Sequence, residues 1–170
     1  THLGSINTGV MSREPPHQMY YCFWKETHPF SNWYKCALTI DDHKFSCVEQ
    51  YMMWRKACLF EDKAAAATIL TLEHPYDMRE AGRKVKGFKE PVWEKEREAI
   101  VEKALRVKFQ DPKLRGALLN TKGQVIVESA PWDAVWGSGK DEAETQRGKW
   151  TGLNLLGKLL MKVRDSLRSE

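Results

Sequence analysis

The chain has 170 residues, enough for one domain with a substantial core, and its 42% hydrophobic and 29% charged residues are ordinary for a globular protein in water. No apolar run approaches the length of a membrane span, no secretory leader is visible, and a net charge of +4 is too mild to demand nucleic acid on its own. The four cysteines, Cys22, Cys36, Cys47 and Cys58, contain no C-x-x-C pair and no histidine at a zinc-like spacing. That pattern argues against a structural metal and for free thiols in a reducing compartment, so an intracellular, cytoplasmic protein is expected.

Residues 1–18 hold Gly, Ser, Asn and a Pro15-Pro16 pair with little apolar content, and read as a flexible arm before a domain over 19–170. Met19 to Trp24, "MYYCFW", is aromatic and strand-like, and Tyr34 to Ile40 reads as a second strand. A turn at "DDH" leads to a short return strand. Ser46 and Glu49 have the spacing of a capping box, which predicts a helix from there to about Leu59. On it, Val48, Tyr51, Met52, Arg55 and Leu59 mark one face, while Glu49, Met53 and Lys56 mark another. Asp62 can cap an Ala-rich helix to about Leu72, and a short helix should run from Pro75 to Gly82. A long helix with Pro91 in its first turn carries Trp93, Arg97, Ile100, Val101, Ala104 and Leu105 as its inner stripe. Asp111-Pro112 opens another helix, "QVIVE" reads as a buried strand, and "SAPWDAVWGSG" as a loop. The polar stretch from Lys140 to Gly148 is expected to be a mobile surface loop, and Asn154 to cap a final amphipathic helix. The sum is a compact α+β domain, mostly helical with a few short strands.

Charge is unevenly spread. From Arg79 to Lys89 five cations (Arg79, Arg83, Lys84, Lys86, Lys89) face one anion, Glu80, which suits a phosphate-bearing ligand as well as a solvated helix end. Seven Trp are many for this length, and half-buried indoles can line a pocket. Taken singly, Asn32 in "PFSNWY" reads as a turn residue, Lys86 in "GRKVKGF" as a surface cation, Asp133 in "APWDAVWG" as an Asx turn, and Gly152 and Asn154 as capping residues.

Together, in order and at the expected spacing, "PFSNWY", "SCVEQYMMWRKA", "GRKVKGF", the helix with Trp93, "LRVKF", "VESAPWDAVWG" and "GLNLLGKLLMKVR" resemble the NADAR domain family, over about Phe23 to Leu167. Two departures are Gln50, where many members carry His after the Glu, and the polar insert from Lys140 to Trp150. The resemblance implies cleavage of the N-glycosidic bond between a phosphorylated ribose and a nitrogen. Some members act on early riboflavin intermediates; others remove ADP-ribose from guanine bases in nucleic acid.

Such cleavage builds oxocarbenium-like charge at the ribose carbon, so a site needs a nearby anion and a way to protonate the leaving nitrogen. The resemblance assigns Glu49 as general acid/base or charge stabiliser, and Asp133 to orient ribose hydroxyls or assist proton transfer. Lys86 is either a phosphate ligand or an amine that captures the ring-opened aldehyde as a Schiff base. Trp33, Trp93 and Trp136 can stack on a base or cover the ribose, though Trp93 equally fits the core stripe. Asn32 can hydrogen-bond a base edge or hydroxyl, Arg83 can grip phosphate, and Gly152 to Asn154 can present helix-start amides to a diphosphate. An ADP-ribose-bearing nucleotide or nucleic acid is the expected partner. Nothing in the pattern calls for a metal, a cofactor, a membrane or an obligate protein partner. A non-catalytic ADP-ribose binding module is the alternative of a different class.

Overall fold

The computed structural model describes residues 20–170, so the expected N-terminal arm lies outside the described residues. Chain order is β1 (Tyr20–Phe23), β2 (Leu38–Ile40), β3 (His43–Phe45), α1 (Val48–Leu59), α2 (Lys63–Thr71), α3 (Pro75–Arg83), α4 (Glu90–Lys108), α5 (Pro112–Leu119), β4 (Val125–Glu128), α6 (Glu142–Gln146) and α7 (Leu155–Arg168). This is the helix-dominated α+β arrangement expected. Among the described residues no helix is long and apolar enough to cross a membrane.

The strands form two small pairs. β1 and β4 run parallel, with Phe23 opposite Glu128, and β2 and β3 form an antiparallel hairpin. Asp41 and Asp42 take positive φ at the hairpin turn, the backbone a two-residue connection demands. Lys103 of α4 then holds Asp41 through both carboxylate oxygens, at 2.9 and 2.7 Å. The core gathers where α1 meets α4 and where α7 meets β4 and α4. Val48, Tyr51, Ala104, Leu105, Phe109, Ile126, Leu156 and Leu160 are fully buried there. Each large apolar side chain removed from water contributes about 1.5–3 kcal/mol, and none of this requires the polar residues that face the cavity described below.

Most predicted helix starts hold. Asp62 accepts the Ala65 amide at 3.1 Å, Asp111 accepts those of Lys113 and Leu114, and Pro75 opens α3. The α1 start differs. Cys47, not Ser46, is the N-cap residue and makes no side-chain cap bond. Ser46 instead gives its amide and hydroxyl to Oε1 of Gln50, at 2.8 and 3.2 Å. Gln50 also donates to the carbonyls of Ile69 and Leu72 and so ties the end of α2 to the start of α1. The back-bonding role expected of Glu49 falls one residue further on, and the Glu49 carboxyl is left for other work.

The stretch from Lys140 to Gly148 is not an unstructured loop. Asp141 caps α6 by accepting the Glu144 amide at 2.8 Å, Thr145 is buried against Ser138 with 2.8 Å between their hydroxyl oxygens, and Gln146 donates to the Tyr20 carbonyl. Its polar composition pointed to a mobile loop; a cap at Asp141 and a buried anchor at Thr145 make a one-turn helix of it instead.

Asn154 precedes α7 with φ of +50°, a left-handed position that Asn tolerates better than most residues. Its side chain makes no cap bond. Oδ1 accepts the Glu128 amide at 3.2 Å and Nδ2 donates to the Ile126 carbonyl at 3.0 Å. It thus stitches α7 to β4 at the end of the strand that carries Glu128. Asn154→Ala strands these backbone groups and should cost roughly 1–3 kcal/mol in urea unfolding. A variant as stable as the parent would show the stitch is dispensable.

Candidate active site

A cavity of about 760 Å³ opens between the first turns of α1, the end of β4 and the cationic side of α3. α1 supplies a stripe at helical spacing: Glu49, Met52, Met53 and Lys56 all line it, because residues three, four and seven apart share a face. Gly82 lets α3 lie against α1, since a Cβ there would collide with the Met53 sulfur. That close approach brings Arg79 and Arg83 to the rim. β4 ends in Glu128, and the loop after it returns Asp133 and Trp136 to the same wall.

Glu49 is almost fully buried, and its amide donates to the Asn32 carbonyl at 2.9 Å. Burial pushes its carboxyl up to about 7, with the nearby Arg79 guanidinium opposing, the Asp133 carboxylate adding, and hydrogen bonding from Trp33 opposing. Glu128 is pushed up to about 8 by burial first, then by Asp133 and Glu49. Asp133 spends Oδ1 on the amides of Val135 and Trp136, at 3.0 and 2.8 Å, which fixes the loop that carries it. Two carboxyls able to carry protons near neutrality thus share a wall with a third carboxylate.

Cations and aromatic rings line the same cavity, with Lys56 on the same face of α1 as Glu49. Arg79 lies over the Trp33 and Tyr76 rings, 5.1 and 5.3 Å from their centroids. Lys56 sits 4.5 Å from the Phe88 centroid and 5.5 Å from that of Trp93, and burial holds its ammonium below the usual lysine range. Four side-chain atoms at this cavity are buried with no hydrogen-bond partner in the protein: Asn32 Oδ1, Arg79 Nε, Arg97 Nε and Glu128 Oε2. Among the described residues only one other such atom occurs, Trp150 Nε1. Buried polar groups are nearly always satisfied, so their convergence here marks a surface shaped for a polar ligand. A smaller cavity of about 500 Å³ behind Trp33 carries none of the three carboxyls. Among the described residues no group of three or more His, Cys, Asp or Glu is placed to hold a metal ion.

Of the residues singled out from sequence, Asn32, Trp33, Glu49, Arg83, Trp93, Asp133 and Trp136 line this one cavity. Lys86 does not: it is exposed, and its amide donates to Asp62 Oδ2 at 2.9 Å. Gly152 and Asn154 are also absent from the lining. A Cβ on Gly152 would strike the Ser138 carbonyl, so that glycine serves close packing, as Asn154 serves the stitch to β4. The start of α7 is therefore not the diphosphate cradle expected. Arg83 is largely exposed and pairs with Glu80 at 3.1 Å, whereas Arg79 reaches deeper.

Sequence reasoning missed four residues. Lys56 stood two helical turns after Glu49 on the same face, a signal that was legible. Glu128 was the one charge ending an apolar strand, and only the parallel pairing with β1 shows where it points. Arg79 had been counted only within a charge run, and Arg97 only within a core stripe.

The NADAR domain model matches residues 21–168, and the chain belongs to this family. It is 36% identical over 147 residues to N-glycosidase R617 of Acanthamoeba polyphaga mimivirus, covering 81% of this chain and 86% of that one. It is 30% identical over 176 residues to the chloroplastic riboflavin biosynthesis protein PYRR of Zea mays, covering 96% of this chain but 27% of that one. The solution structure of Escherichia coli YbiA superposes with a TM-score of 0.75 at 28% identity, covering 94% of this chain and 90% of that one.

The raised carboxyls have a consequence for stability. Glu49 and Glu128 hold protons more tightly folded than unfolded, so stability should be greatest near or below their ordinary value of 4.5 and fall as pH rises, levelling off above about 7 and about 8. Glu128→Gln removes its share of that slope and should be the more stable protein at the alkaline end. Urea midpoints across pH check this; parallel curves for the two proteins would show that Glu128 is ionised at no cost.

Proposed function

We propose that the chain is an N-glycosidase that hydrolyses a ribose C1–N bond, and that its substrate is ADP-ribose attached to a guanine base of nucleic acid. The observation that carries this is the gathering, in one cavity, of protonatable carboxyls, buried unpartnered guanidinium nitrogens and an amine of lowered basicity. Family membership and the name of the mimiviral relative support the bond type. The cationic rim suits a diphosphate.

The chemistry follows from the groups present. A protonated Glu128 or Glu49 donates its proton to the leaving nitrogen as the C1–N bond breaks. The other carboxylate, with Asp133, faces the positive charge that builds at C1. Arg79 and Arg97 offer donors to phosphate or hydroxyl oxygens, and the Trp33 and Trp93 rings exclude water from the ribose. In the covalent route the amine is that of Lys56, not Lys86. Its nitrogen attacks C1 of the ring-opened sugar and displaces the base, which leaves with a proton. Water then hydrolyses the imine to return the free amine and the sugar aldehyde. Burial lowers the basicity of the Lys56 amine, the direction that favours the neutral nucleophile this requires.

A second reading is hydrolysis of phosphoribosyl riboflavin-biosynthesis intermediates, favoured by the name of the maize relative. Incubation with an ADP-ribosylated guanine oligonucleotide and, separately, with the riboflavin intermediates tells them apart. Free ADP-ribose is expected from the first; ribose 5-phosphate from the second would favour the alternative, and binding without turnover would leave a reader module. Glu49→Gln should fold and lose about 10²–10⁴-fold in kcat. Borohydride should trap a substrate adduct on the parent and on Lys86→Ala but not on Lys56→Ala. An adduct that survives in Lys56→Ala would remove Lys56 from the role.

A further inference from the structure

Two indoles at the mouth of the cavity take no part in the chemistry above. Trp24 follows β1 and Trp132 sits in the loop after β4; they are 42% and 86% exposed. Their ring centroids are 5.9 Å apart at an interplanar angle of 44°. Lys25 holds its ammonium 5.6 Å from the Trp24 centroid, and its backbone takes φ of +76°, a left-handed conformation a lysine seldom adopts. All three residues line the same cavity as Glu49 and Glu128.

Packing does not account for Trp132. A tryptophan normally buries most of its ring, and this one leaves nearly all of it in water. The fold gains almost nothing from the indole, while solubility is reduced by it. Its position relative to the acids is informative. Asp133 is its chain neighbour, and Glu128 ends the strand that leads into its loop. A ring resting on Trp132 would therefore lie at the mouth of the cavity that these carboxyls line.

We propose that Trp24, Trp132 and Lys25 form a stacking subsite for a flat heteroaromatic ring carried on a sugar phosphate. The ring lies on the open face of Trp132, Trp24 backs that indole, and the Lys25 ammonium meets the adjoining phosphate. Every nucleobase has a π-face, so such a platform accepts bases with little regard to sequence. The ring has two possible sources: the base that the reaction releases, or a neighbouring base of the same strand. The subsite rests on the glycosidase reading for its purpose but not for its existence, since stacking can be measured without turnover.

The test compares two ligand pairs by equilibrium binding: guanosine 5′-monophosphate against ribose 5-phosphate, and a single strand of about 12 nucleotides against an abasic strand of equal length and charge. The parent protein should prefer the base-bearing member of at least one pair. The double variant Trp24→Ala/Trp132→Ala should lose about 5- to 150-fold on that member and nothing on its base-free partner, with melting temperature held. Lys25→Ala should weaken both members of the pair. A preference within the monophosphate pair identifies the ring as the substrate's own base; a preference confined to the strands identifies a neighbour. No base preference in either pair, or one that survives the double variant, overturns the subsite. An intact base preference in a protein that turns over neither proposed substrate would sink the glycosidase reading alone.

Discussion

Holding two carboxyl groups away from water at the wall of one cavity is the constraint from which the rest of this structure follows. A buried carboxylate without a close cation is costly, and the economical answer is to keep the proton. Glu49 and Glu128 are both driven that way, Asp133 raises both, and Glu49 further raises Glu128. Arg79 is the main counterweight at Glu49, yet it rests on Trp33 and Tyr76, and its Nε makes no hydrogen bond, with Glu80 3.9 Å away. The surrounding fold makes this tolerable. Asn154 fixes the backbone of Glu128, Gln50 fixes the start of α1, and Asp133 fixes its own loop. Much of the apolar core lies on other faces of α1 and α4, while Met52, Met53 and Trp93 belong to both core and cavity.

Much of the fold was legible because local signals and global packing agree. Asp62, Pro75, Asp111 and the apolar stripe of α4 marked their elements to within a residue or two. The capping box at Ser46 was a case where local chemistry misled. Ser46 and Glu49 had the right spacing, but Gln50 reaches back just as well, and Glu49 turns into a cavity that sequence spacing cannot display. The same limit explains Glu128, whose direction depends on a strand pair joining residues more than a hundred positions apart. Lys86 drew attention by sitting between glycines in a basic run. Lys56, on the face already assigned to Glu49, was the better-placed amine.

Gly152 and Asn154 show how a residue can be placed correctly in a motif and given the wrong task. A glycine and an asparagine before a helix suit an anion cradle and a packed junction equally well. Only coordinates reveal that the Asn154 amide is consumed by β4 and that Gly152 abuts Ser138. Asn154 holds the strand end that carries Glu128, and Gly152 lets the chain pack closely on Ser138. The helix α6 insert plays a comparable part, linking the acid-bearing loop to β1 through Ser138, Thr145 and Gln146.

Chemically, the cavity combines requirements that are seldom met together. Proton donation to a nitrogen calls for a neutral acid near pH 7, stabilisation of an oxocarbenium calls for an anion, and phosphate recognition calls for cations nearby. Here they lie close together: Arg79 and Lys56 both oppose the rise at Glu49, yet burial outweighs them and its carboxyl still reaches about 7. The most direct check is a carbon-13 NMR titration of the glutamate side-chain carboxyls. Two resonances should titrate near neutral pH, with Glu49→Gln abolishing one and lowering the other. Glutamates that all titrate near the ordinary carboxylate value would contradict the account.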